Sequence, residues 1–127
     1  MKNIIAMTVI GLGLAACQTT GAQQSVDKDA AMRLATQADM ALIDGKTLTL
    51  EPGKSYVVSS AGTIRGSWEG KPLVGTYEMR DGYFCRVLTQ GPNGPAPEDC
   101  QLLVLEGDTL RGTRNRGEGA SFRLTVS

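Results

Sequence analysis

Few side chains in this chain could do chemistry, and the missing ones decide most. There is no histidine among the 127 residues. That removes the usual general base near neutral pH and the commonest metal ligand. No Ser-His-Asp or Cys-His arrangement is available, and a zinc site is not expected. Glu98-Asp99, and Glu106 with Asp108, come nearest to paired carboxylates. Adjacent acids in a turn-rich stretch are expected to be solvated instead. The one S-x-x-K spacing, Ser25 with Lys28, falls in a polar N-terminal stretch. No catalytic, cofactor or metal site is expected, and the chain does not read as an enzyme.

What remains is recognition chemistry. Arg111, Arg114, Arg116 and Arg123 cluster near the C-terminus, with Glu118 the only acid among them. Guanidinium forks suit lipid headgroups, phosphates or an acidic partner. The plainer expectation is a solvated hairpin whose arginines pair with Glu106, Asp108 and Glu118. Gln90, Pro92, Asn93 and Pro95 mark a Pro/Gly-rich connection from Thr89 to Asp99. Exposed connections of this kind carry binding contacts, although a tolerated insertion reads equally well. No regular strand is expected in that composition.

At the N-terminus, Lys2 precedes an apolar run from Ile4 to Leu14, interrupted by Thr8, Gly11 and Gly13. The run has the length of a secretory core and falls short of the roughly 20 residues a spanning helix needs. It leads into Leu14-Ala15-Ala16-Cys17, which resembles the lipobox of bacterial lipoproteins. The resemblance implies a signal peptide over residues 1–16 and cleavage before Cys17. It also implies acyl chains on the Cys17 sulfur and amine, with the membrane as first partner. Each buried methylene contributes about 0.8 kcal/mol, so two or three chains hold where one is marginal. Gln18, where retained lipoproteins of enteric type carry aspartate, leans toward the outer membrane.

With Cys17 acylated, the odd cysteine count becomes an even one. Cys85 and Cys100 are then expected to form a disulfide outside the cytosol. Closing a loop of about 15 residues contributes roughly 3 kcal/mol. The spacing is far from C-x-x-C, so the bond reads as a staple rather than a redox centre. Thirteen basic and thirteen acidic residues leave no net charge, which argues against a nucleic-acid partner.

These groups must be held by a single domain, 27–127, following a polar tether over 17–26. Asp27 to Ile43 has the spacing of a helix. Its stripe is Ala31, Leu34, Ala35, Ala38, Ala41 and Leu42, with Ser25 or Asp27 as cap and Gly45 as stop. From Thr47 the apolar period becomes two. Strands are expected at Thr47–Glu51, Tyr56–Ser59, Ile64–Trp68, Leu73–Arg80, Tyr83–Leu88, Gln101–Glu106, Thr109–Thr113 and Ser121–Val126. Asp81-Gly82 is the strongest hairpin signal, because both residues tolerate positive φ. The fold class is mainly β: a small antiparallel meander of about eight strands, barrel-like or folded, with one N-terminal α-helix.

Gly66-Ser67-Trp68 resembles the G-x-W motif of lipocalin- and avidin-like barrels, there on the first strand and here on the third. Trp68, Gly75-Thr76-Tyr77, Asp81-Gly82-Tyr83-Phe84-Cys85 and Cys100, in that order, resemble small secreted bacterial β-domains of unassigned activity. Ser59-Ser60-Ala61-Gly62 is similar to the small-residue loop of lysozyme inhibitors. Trp68 itself is expected in the core. The functional expectation is a lipid-anchored envelope protein with a non-catalytic role in binding or envelope maintenance. The alternatives are inhibition of a periplasmic or host enzyme, such as a lysozyme or protease, and carriage of a small ligand in a lined cavity.

Overall fold

The computed structural model describes residues 30–127. The lipobox, Cys17, the tether and residues 27–29 of the expected helix lie outside the described residues. Nine strands are present among the described residues: β1 (Met32–Leu34), β2 (Thr47–Glu51), β3 (Lys54–Val58), β4 (Thr63–Trp68), β5 (Lys71–Arg80), β6 (Tyr83–Gln90), β7 (Ala96–Glu106), β8 (Thr109–Thr113) and β9 (Ser121–Val126). From β2 to β9 each strand pairs antiparallel with the next. β9 then pairs with β2, Leu48 opposite Val126 and Thr49 opposite Thr125. The sheet is therefore a closed eight-stranded up-and-down barrel with β1 as an extra strand on β7.

Alternation decides which side chains enter the barrel. Along β5, buried Leu73 and Tyr77 take turns with exposed Thr76 and Glu78. In β9, Leu124 is buried between exposed Arg123 and Thr125. Asp81 and Gly82 adopt φ of 53° and 82°, the pair of positive angles that a two-residue hairpin turn matching strand twist requires.

Gly66 faces Tyr56 across β3 and β4. A Cβ there would overlap the Ser55 carbonyl oxygen and lie 2.5 Å from the Tyr56 Cα. Gly66→Ala is accordingly expected to destabilise the barrel by about 1–3 kcal/mol, read as a lower denaturant midpoint at unchanged slope.

Residues 30–43 do not form the expected α-helix. Met32–Leu34 is a strand and Asp39–Leu42 a 3-10 turn. The physical reason lies in the stripe: of its six residues only Leu34 is buried, while Met40 and Ile43, off the stripe, are fully buried. An alanine-rich face offers little area to a helix. Past the end of the β6 pairing, the Leu103–Leu105 stretch of β7 instead offers backbone pairing, with Leu34 opposite Leu103. Thr36 starts the turn that follows. Its hydroxyl accepts the Asp39 N–H at 3.3 Å, and the Asp39 carboxylate accepts the Ala35 and Thr36 N–H groups at 2.9 and 3.0 Å. This reciprocal capping holds the Asp39 carboxyl below its ordinary range, chiefly through the Ala35 and Thr36 N–H groups.

The segment after β1 closes one end of the barrel. Gln37 Nε2 donates to the Ser60 carbonyl at 2.8 Å, and the Gly45 N–H donates to the Val58 carbonyl at 3.0 Å. Met40 and Ile43 join Leu34, Leu48, Val58 and Leu110 in the main core cluster. Tyr77 ties this end inward, donating to the Ser59 carbonyl at 2.6 Å while stacking on Phe84 at 4.7 Å.

The Pro/Gly connection is shorter than expected. Thr89 and Gln90 belong to β6, Ala96 to Asp99 belong to β7, and only residues 91–95 connect them. Pro97 is tolerated because the β6–β7 register slips between Arg86 and Leu88, and a bulge needs no N–H from every residue. Cys85 stands directly opposite Cys100, with sulfurs 2.13 Å apart and Cα atoms 3.9 Å apart. The disulfide thus joins two paired strands rather than the base of the connection.

Candidate functional site

The end of the barrel opposite the Met40–Ile43 plug is open. Between its walls lies a cavity of about 310 Å³. Its apolar wall comes from Leu50, Tyr56, Trp68, Leu73, Phe84 and Leu88. All six belong to β2 to β6, and Phe122 and Leu124 of β9 complete the ring. Trp68 stands at the end of β4 beside the Glu69-Gly70 turn, half-buried, with Tyr56 at 6.5 Å and the Lys54 ammonium at 5.8 Å from its ring. It therefore lines the open half instead of filling the plugged core.

Three polar groups enter this apolar space: Arg86, Gln101 and Arg114. Arg86 lies between Phe84 and Leu88 on the inward face of β6, opposite Asp99 on β7. Asp99 is the hub. Its Oδ2 accepts Gln101 Nε2 at 2.9 Å and Arg114 Nε at 3.0 Å, and its Oδ1 accepts the Asn115 N–H at 3.0 Å. Burial pushes the Asp99 carboxyl up, but the Gln101, Asn115 and Arg114 hydrogen bonds outweigh it and leave the carboxyl below its ordinary range. The expectation that Glu98-Asp99 is simply solvated fails at Asp99, whose side chain is only 13% exposed. β7 carries it inward, because the strand runs on through Pro97.

Arg86 is less well served. Its Nη2 is 3.7 Å from Asp99 Oδ2, and its Nη1 is shielded from solvent with no hydrogen-bond partner. Burial pulls the guanidinium pKa down, while the Asp99 charge works to restore it. Burial also pushes the Tyr56 phenol up, against the nearby Arg86 charge, so Tyr56 stays neutral.

The structure separates the residues singled out in the sequence. Pro92 and Arg114 line the cavity, and the Pro92 carbonyl accepts Lys71 Nζ at 3.1 Å. Gln90, Asn93 and Pro95 are exposed at the rim. Arg111 and Arg123 face each other across β8 and β9, Arg111 reaching Glu106 at 3.8 Å. Arg116 lies outside, its guanidinium 5.8 Å from the Tyr83 ring. The four arginines are thus not one anion site. Arg86 and Gln101 were not among the expected site residues. The signal for Arg86 is a lone cation in the alternating face Phe84, Arg86, Leu88. Glu98 lies near Cys85 and Cys100, but the two sulfurs are bonded to each other and supply no thiolate ligand.

Comparison with protein-family models, with curated proteins and with solved structures gives no match.

Proposed function

We propose that the protein is a lipid-anchored protein of the bacterial cell envelope, that its role is non-catalytic, and that its barrel binds a small ligand. The anchor rests on the lipobox at Leu14–Cys17, and the outer-membrane location on Gln18. The Cys85–Cys100 pair suits an oxidising compartment. The observation that carries the binding role is the open cavity of about 310 Å³ behind Trp68. It reaches the size at which small-ligand pockets begin and has their make-up, apolar walls with a few convergent polar groups. Asp99, held ionised by its donors, is not tuned to take a proton near neutral pH. Inhibition of an enzyme by an inserted loop is less favoured, because the rim connection spans only 91–95 and is tied to Lys71.

Trp68 is the only tryptophan and lines the cavity, so its fluorescence reports occupancy. Titration with decan-1-ol below its solubility limit is expected to give a saturable change in emission. Leu50→Trp, at a rim position 37% exposed, is expected to fill the opening and weaken binding by about tenfold, measured by calorimetry to avoid the added fluorophore. A linear, non-saturating response in the wild type would count against a binding lumen. Mass spectrometry of envelope material tests the anchor separately, through acylation of Cys17.

A further inference from the structure

An arginine in an apolar lumen is the least expected residue in the barrel. Charged groups removed from water are normally paired and hydrogen-bonded on every donor. Arg86 is not: Asp99 offers it attraction at 3.7 Å, but the Asp99 oxygens already accept Gln101, Arg114 and Asn115. Arg86 and Arg114 also outnumber the single Asp99, so the polar side of the lumen carries one excess positive charge.

Resting on the ligand-binding role above, we propose that the ligand is a carboxylate-headed amphiphile whose head group pairs with Arg86 and whose apolar body lies against Trp68, Leu73 and Leu88. A planar carboxylate can accept two parallel bonds from a guanidinium, and a modest turn of the side chain gives it the donor that Asp99 leaves unused. The net charge selects a single negative group, and the lining selects an apolar remainder. The volume limits its size. At about 30 Å³ for each water-sized group, 310 Å³ takes on the order of ten non-hydrogen atoms. The class is therefore a medium-chain or single-ring apolar acid, small enough for the lumen to enclose its body.

The test compares decanoate with decan-1-ol, both below aggregation, in wild type and in Arg86→Met, using Trp68 emission and calorimetry. Wild type is expected to prefer the acid by about tenfold or more. Arg86→Met is expected to bind the alcohol at least as well as wild type and to lose the preference. Arg86→Lys, which keeps the charge but not the fork, should retain part of it and guards against a misfolded methionine variant. Arg111→Ala, on the outer face, should leave the preference unchanged. An acid-to-alcohol ratio near one in wild type, or a preference that survives Arg86→Met, overturns the role of Arg86 while leaving the lumen a ligand site. Failure of both probes to bind wild type overturns the ligand-binding role and this inference together.

Discussion

Asp99→Ala is expected to destabilise the domain by roughly 3 kcal/mol, the range for breaking a buried ion pair from one side. For a domain of about 100 residues that is a fall in Tm of roughly 10–20 °C. The loss is large because one carboxylate serves several donors. Without it, Gln101 Nε2, the Asn115 N–H and Arg114 Nε lose their acceptor, and Arg86 loses its counter-charge. The double variant Asp99→Ala/Arg86→Met should recover part of the loss, because no uncompensated guanidinium then remains inside.

The pH dependence follows the same group. The folded-state pKa of Asp99 lies below its unfolded value. Its contribution is therefore fully present above the ordinary carboxylate pKa of about 4 and is lost as pH falls through the lower folded value. Thermal unfolding followed by circular dichroism from neutral to acid pH should show this decline in the wild type and a flatter profile in Asp99→Asn. Equal acid sensitivity in both would place the acid response elsewhere.

Removing the Cys85–Cys100 bond, by reductant or by the double alanine variant, is expected to cost about 3 kcal/mol, from the loop of 15 residues that it closes. Against a typical stability of about 5–15 kcal/mol for a domain, that is a large fraction. Cys85 is 3% exposed, so reductant should act slowly under native conditions and quickly once the barrel opens. Denaturant unfolding with and without reductant measures the first effect, and thiol labelling over time the second. Rapid labelling of the native protein would show that β6 and β7 separate locally.

The strands from β2 to β9 were legible, except Ala96 to Cys100 of β7, because each obeys one rule visible in order along the chain. Leu73 to Arg80 alternates cleanly, and Asp81-Gly82 can only turn. The segment before Thr47 misled because alanines at helical spacing look like a face. What decides it is the Leu103–Leu105 stretch of β7 left unpaired by β6, which no local pattern in residues 30–43 reveals. Pro97 misled in the opposite sense, because a register slip between strands leaves no mark at the proline. The lumen was less legible. With Cys85 opposite Cys100, the next residues along, Arg86 and Asp99, are also opposite, on the other face of the sheet. That register is not in the disulfide expectation, which starts the strand at Gln101 and leaves Asp99 in the connection; it follows from β7 beginning at Ala96. That both point inward depends on barrel closure through Leu48 and Val126, which is long-range and unmarked in sequence.

Closure has one more effect. Among the described strands, β1 alone keeps a bare side. It is three residues long, and its Arg33 is turned onto the Gly82 carbonyl at 2.9 Å and the Tyr83 ring at 5.0 Å. Growth of sheet from one molecule to the next needs a longer row of free peptide groups without a charge in its midst. Copies crowded together on a surface would find almost no template for aggregation in one another.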